Sequence, residues 1–201
     1  MDWKRVLIGA LAVGVLWNLW QRIESRPVHP ADGPVAPTEP LQTDLERVST
    51  ARHGRWTLTP RAHYEITARI LSREDYRFDR LSDLIPEDLA LGWGPMSDSR
   101  VLNALAITQS VRFYSWRPLK SLPIPRQEVI EHSANTHVIA ADAHVGLQLK
   151  RLRVGQVVRL MGSLVDGVRD DGVSIHTSLT RSDSGAGACE VMLVEDVEVL
   201  E

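Results

Sequence analysis

Several stretches of this chain alternate apolar and polar side chains with a period of two. Tyr64, Ile66, Ala68 and Ile70 fall on one face of such a stretch, with Glu65, Thr67 and Arg69 on the other. Val111, Phe113 and Ser115 alternate with Arg112, Tyr114 and Trp116 in the same way. So do Val158, Leu160, Gly162 and Leu164 with Arg159, Met161 and Ser163, and Val173, Ile175, Thr177 and Leu179 with Ser174, His176 and Ser178. Successive side chains of a strand point to opposite faces, so the pattern predicts half-buried strands and excludes a helical bundle. The run from Val191 to Leu200 is apolar on much of both faces, which predicts a covered strand. Asp170-Asp171-Gly172 separates two of the alternating stretches. Asp-Gly favours a tight hairpin because glycine accepts a positive φ without steric cost, so 156–169 and 173–181 are predicted to pair antiparallel. Gly162, inside the first of these strands, marks a bulge or the sharp bend of a small barrel.

Helices are predicted to be short. Residues 97–106 open on the cap candidate Ser97 and carry Val101, Leu102 and Leu105 at helical spacing. Residues 143–152 follow the cap candidate Asp142, with Val145, Leu149 and Leu152 on one face. A third short helix is predicted over 41–50, where Thr43 could cap and Leu45 and Val48 share a face. The fold class is therefore mainly β, a β-rich α+β domain. A helix that feeds a strand carrying Gly155, Val158, Leu160 and Gly162 resembles the OB-fold, a small Greek-key barrel.

Ahead of this domain the chain changes character twice. Val6 to Trp20 is apolar except for Asn18, follows Lys4 and Arg5, and carries Trp3, Trp17 and Trp20 at its ends. At ~1.5 Å per residue the run is about 22 Å long, and its aromatic flanks extend it toward the ~30 Å of a hydrocarbon core. No small-residue cleavage site and no cysteine follow it, so an uncleaved signal anchor over 1–21 is expected, with one transmembrane helix held by residues 6–20. Lys4 and Arg5 before the run are matched by Arg22 and Arg26 after it. A short basic N-terminus stays in the cytoplasm, which places the domain on the outer side of the membrane. Prolines at 27, 30, 34, 37 and 40 then forbid a helix and predict an extended tether over 22–54. The strand-rich domain is placed at 55–201.

Charge and cysteine usage narrow the function. With 23 Lys+Arg against 26 Asp+Glu the formal net charge is -3, which argues against a nucleic-acid binder that must neutralise many phosphates. No nucleic-acid partner is expected. The single cysteine, Cys189, forms no internal disulfide and excludes cysteine-rich zinc and iron–sulfur sites. No cofactor is expected.

Three groups of residues could carry a site. His132, Ser133, Asn135, His137, Asp142 and His144 lie close in sequence; imidazoles with a carboxylate are metal ligands, but this spacing matches no zinc pattern and fits turn hydrogen bonds better. Arg181, Asp183 and Glu190 flank a glycine-rich turn that could hold an anion, and Cys189 beside them would need a base from among His132, His137 and His176 to act as a nucleophile. Trp93 between Gly92 and Gly94 could be a binding platform or a core plug. The interleaved basic and aromatic residues Arg112 to Arg117 are expected to pack rather than bind single strands.

Asp88 to Gly94, the Ser133–His137 pentapeptide, and Ser178 to Arg181 with Asp183, Gly185, Gly187, Cys189 and Glu190 resemble an uncharacterised family of small bacterial membrane-anchored proteins. The resemblance implies a bacterial envelope protein and no particular activity. The expectation is thus a membrane-tethered, non-catalytic binding or interaction module with an envelope protein as partner. Its ligand-binding residues would be Trp93, Ser133, Asn135, His137, Arg181, Asp183 and Glu190. The alternatives are a metal-dependent hydrolase using His132, His137, Asp142 or His144, and a cytoplasm-facing nucleic-acid-binding OB-like domain.

Overall fold

The computed structural model describes residues 3, 7, 11, 26–45, 47–180 and 188–201. The architecture is mainly β. In chain order the strands are β1 (Leu41–Asp44), β2 (Ala51–His53), β3 (Trp56–Asp75), β4 (Glu87–Gly92), β5 (Leu105–Ser110), β6 (Phe113–Pro118), β7 (Ser133–Ala140), β8 (Val157–Arg169), β9 (Ser174–Ile175) and β10 (Glu190–Val199). The described helices are short: a 3-10 turn at Gly94–Ser97, then α1 (Ser99–Leu102), α2 (Arg126–Glu131) and α3 (Ala143–Arg151).

Strand β3 organises the sheet because its 20 residues pair with four strands, most extensively with β8 and β4. Its first part pairs with β8, from Trp56 opposite Arg169 to Arg69 opposite Val157. Its last part pairs with β4, from Arg69 opposite Gly92 to Asp75 opposite Glu87. Strand β4 pairs with β7, β7 runs parallel to β10, and β10 pairs antiparallel with β8, so the pairings lead back to β3. The alternation read from the sequence holds here. Tyr64, Ile66, Ala68 and Ile70 are buried in one cluster with Leu160, Leu164, Met192 and Val194. Burying such side chains contributes ~1.5–3 kcal/mol each, which is what holds the strands on a common core. The hairpin β5–β6 packs outside this sheet, laying Ile107, Tyr114 and Trp116 with Met96, Val101 and Val129 over Leu71 and Ala90.

Helix α3 matches its expectation: Asp142 Oδ1 accepts the Val145 N–H at 2.9 Å, and Val145 and Leu149 face the core. The Asp-Gly turn also forms, with Gly172 at φ 87°. Other expectations are corrected. Residues 41–44 form strand β1 against Glu65–Ala62 of β3, not the start of a helix, because pairing to an exposed sheet edge outweighs a weak local helix preference. The helix expected over 97–106 is only the four residues of α1, and β5 begins at Leu105. Among the described residues of the strand expected over 173–181, only Ser174–Ile175 pairs with β8. Thr177 N–H then turns to Asp166 Oδ1 at 3.0 Å and Ser178 N–H to the Cys189 carbonyl at 3.0 Å.

The proline-rich segment lies on the domain over much of its length. Val28 N–H donates to the Val154 carbonyl, Gly33 N–H to Asp98 Oδ1, Ala36 N–H to Ser97 Oγ, and Ser99 Oγ to the Pro30 carbonyl. Gly155, at φ 91°, leaves the space this docking requires, since a β-carbon there would collide with the Val28 carbonyl oxygen. Of the N-terminal run only Trp3, Leu7 and Leu11 are described, and they are helical and exposed. No helix of the described residues is long and apolar enough to cross a membrane, and the anchor expected from residues 6–20 falls otherwise outside them.

Candidate active site

Asp88 and His137 stand directly opposite each other in the β4–β7 register. Side chains opposite on adjacent strands share a face, so both leave the sheet on its outer side, away from Leu89, Leu91 and Val138. Asp88 is fully buried, and its Oδ1 lies 2.8 Å from His137 Nδ1. The imidazole is therefore oriented by a carboxylate at Nδ1, and the Cys189 side chain is near enough to add to the upward push on its pKa. Cys189 immediately precedes β10, which runs parallel to β7 with Glu190 opposite Thr136. That pairing places residue 189 beside Asn135 and His137 on the same outer face. Asn135 Nδ2 donates toward Cys189 Sγ at 3.7 Å. Cys189, His137 and Asp88 thus share one face, and they are the residue types of a nucleophile, a proton carrier and an orienting carboxylate.

A second layer holds this triad. Arg112, at the tip of the β5–β6 hairpin, places Nη1 3.0 Å from Asp88 Oδ1. Its remaining donors go to Asp79 at 2.7 and 2.8 Å and to the Ile85 carbonyl at 2.8 Å, while its guanidinium stacks 3.8 Å above the Tyr76 ring. Val111 and Arg112 have φ of 51° and 69°, a left-handed turn made without glycine. Such a turn is strained, most of all for a β-branched residue, and the many bonds of Arg112 hold it. Asn135 is fixed by Gln109 Nε2 at 2.7 Å and donates to the Arg112 carbonyl at 3.1 Å and toward Asp88 Oδ2 at 3.4 Å.

The electrostatics follow from these contacts. Burial works to lower the pKa of His137, but the hydrogen bonds to Asp88 and then to Cys189 outweigh it, and the imidazole is pushed up to about 9. It is protonated at neutral pH, ready to give a proton rather than take one. Burial also pushes the neighbouring Glu87 up to about 7, against the Arg73 guanidinium 2.7 Å away. A histidine raised in the folded state stabilises fully below its unfolded pKa of ~6.5 and loses that contribution as pH rises through its folded value. A raised carboxyl group costs stability from ~4.5 upward, and its effect is complete near 7. Stability should therefore fall between pH 6.5 and 9 in the native chain, mainly through His137. In His137→Asn that upper decline should flatten. Denaturant midpoints at pH 6, 7.5 and 9 check this; parallel pH profiles for the two proteins would mean that His137 carries no extra proton in the fold.

The residues singled out by sequence divide into three sets. Asn135 and His137 belong to the triad face. Their segment, expected to be a turn, is strand β7: both of its faces are covered, which hides the period-two pattern. Ser133, Glu190 and Trp93 line a small adjoining cleft with Ala134, Thr180 and Ala188. Trp93 itself is 1% exposed and donates Nε1–H to Glu39 at 2.9 Å, so it packs in the core rather than offering its ring as a platform. Arg181 and Asp183 lie outside the described residues.

The proposed metal ligands have separate tasks. Asp142 caps α3, His132 faces Glu39 and Glu128, His144 is exposed, and His137 belongs to Asp88 and Cys189. Among the described residues no group of three His, Cys, Asp or Glu side chains could hold a metal ion. Asp88 and Arg112 were missed as site residues. Their signal was a pair of acids opening an otherwise apolar strand and an arginine at a hairpin tip, neither of which points to its partner without the strand register. The chain matches no family model, no curated protein and no solved structure.

Proposed function

We propose that this chain is a tethered protein of the bacterial inner membrane whose periplasmic, OB-like barrel carries a thiol nucleophile, Cys189, served by His137 and Asp88. Acyl transfer, the hydrolysis of an amide or ester, is the reaction class. The observation that carries the reading is the Asp88–His137 bond of 2.8 Å on the face that Cys189 shares through the β7–β10 register. The barrel reading is supported by the pairings that return to β3, by the parallel β7–β10 pair and by α3 between β7 and β8. OB-folds bind ligands on the face of their second and third strands. Here those strands are β4 and β7, which bear Asp88, Asn135 and His137.

In this reading the proton His137 carries is the one given up by the Cys189 thiol; the sulfur attacks the acyl carbon, and the imidazolium passes that proton to the departing amine or alcohol. The thioester formed is then cleaved by water, whose proton returns to His137. Asp88 keeps the imidazole turned toward the sulfur throughout, as the carboxylate of such triads does. Asn135 supplies a fixed donor beside the sulfur.

The test is acylation of the full-length chain by p-nitrophenyl acetate, read as p-nitrophenol release and as an acetyl adduct on Cys189 in the intact mass. Cys189→Ala should form no adduct. His137→Asn should lower the acylation rate about 10²–10⁴-fold, the usual range for losing a positioned proton carrier. Unchanged acylation in His137→Asn would reduce Cys189 to an ordinary thiol. A second reading, a non-catalytic interaction module for an envelope protein, is favoured by the cleft of Trp93, Ser133, Thr180 and Glu190 beside the cysteine. An envelope partner that co-purifies equally with native chain and Cys189→Ala, in the absence of acylation, would select that reading.

A further inference from the structure

We infer that the outer face of α3 and the turn after it rest on an anionic phospholipid surface, the membrane that holds the anchor. This inference depends on reading residues 6–20 as a membrane anchor. If the anchor ends at residue 21, seven residue steps separate it from Val28, which is already fixed to Val154. Seven steps of extended chain span at most ~25 Å. The 153–155 turn therefore stays within that reach of the bilayer, and whatever surrounds it faces the headgroups.

Its surroundings are cationic. Arg26, Lys150 and Arg151 are exposed, Arg153 is half-buried, and among the described residues none of the four enters an ion pair. By contrast Arg52, Arg73, Arg159 and Arg169 are each matched with carboxylates. These cations are not needed to cap the helix end either. The carbonyls of Leu149, Lys150 and Leu152 are taken by Arg73 Nη1 at 3.2, 3.0 and 2.9 Å, and the same arginine holds Asp75 and Glu87. Helix α3 adds an apolar element. Its inner stripe of Val145 and Leu149 is buried, while Leu147, 56% exposed, shares the outer face with His144, Lys150 and Arg151. A leucine set among cations, on a helix at the chain's exit, suits the interfacial zone of an anionic bilayer.

The experiment uses the full-length chain in nanodiscs of phosphatidylcholine alone, or with about a third phosphatidylglycerol. Backbone hydrogen exchange is followed in peptides covering 143–155. Exchange should slow about fivefold or more in the anionic discs only, and about 0.5 M salt should restore it. The triple variant Lys150→Glu, Arg151→Glu, Arg153→Glu should show no lipid dependence while staying in the disc, with unchanged Cys189 alkylation reporting that it is folded. Equal exchange in both discs, with the chain retained, would overturn the seating and leave the anchor intact. A chain retained by neither disc would overturn the anchor and the seating together.

Discussion

Arg112→Ala should lose about 3–5 kcal/mol of stability, the cost of breaking a buried charge pair from one side. The reason is the company Arg112 keeps. Asp88 is fully buried, and Arg112 is one of the two cationic groups in contact with it, at 3.0 Å, the other being His137 at 2.8 Å. Truncation also frees Asp79, strips the Ile85 carbonyl of a donor, and leaves the left-handed turn at Val111 with less to hold it. Arg112→Lys should recover only part of the loss, because an ammonium cannot reach Asp79, Asp88 and the carbonyl in one plane. Equilibrium urea unfolding measures both. A loss below about 1 kcal/mol in the alanine variant would place the arginine among exposed ion pairs, whose worth is small. The same variant bears on the site. With Arg112 gone, Asp88 is bound more fully to His137, so any acylation by the folded fraction should persist, which separates a supporting role for Arg112 from a part in the chemistry.

This arginine also shows where sequence reading stopped. The alternation at Tyr64–Ile70 and Val158–Leu164 was legible because one face meets the core and the other meets water, and α3 was legible from its Asp142 cap and its apolar stripe. Strand β4 was not. All six of its residues are buried, Glu87 and Asp88 included, so no polar face remains to set the period. The two acids tolerate burial only because Arg73 and Arg112 reach them from elsewhere in the chain. The site failed to show for the same reason. His137 was weighed beside its sequence neighbours His132, Asp142 and His144, yet its partner Asp88 stands 49 residues before it and Cys189 lies just ahead of another strand. Cys189 was noticed and a base was sought for it, but three histidines were available and only the parallel β7–β10 pairing selects among them. Local signals mark the strands that keep one face in water. Which side chains meet across them is settled by register, a non-local property.

Register is also what Gly162→Ala would attack. In the β8–β10 pair Val194 stands opposite Gly162 and Asp196 opposite Met161, so Glu195 is an extra residue on β10. The bulged backbone bends into the space a side chain at 162 would fill. A β-carbon there would collide with the Leu193 carbonyl oxygen and come within 3.0 Å of the Leu193 carbonyl carbon and 3.1 Å of Glu195 N. All three obstacles are backbone, and none can swing aside as a side chain can. Overpacking that side chains relieve costs ~1–3 kcal/mol; here the relief must come from strand pairing, so about 3 kcal/mol or more is expected. At ~2–4 °C per kcal/mol for a chain of this size, the melting temperature should fall by roughly 6–12 °C. The consequence reaches the site, since β10 is the strand that carries Cys189 to His137 and is itself held between β7 and β8. Gly162→Ala should therefore slow Cys189 acylation even at temperatures where the variant remains folded. A variant that melts within about 1 °C of the native protein would mean that the bulge yields freely, and that the placement of Cys189 depends on β7 alone.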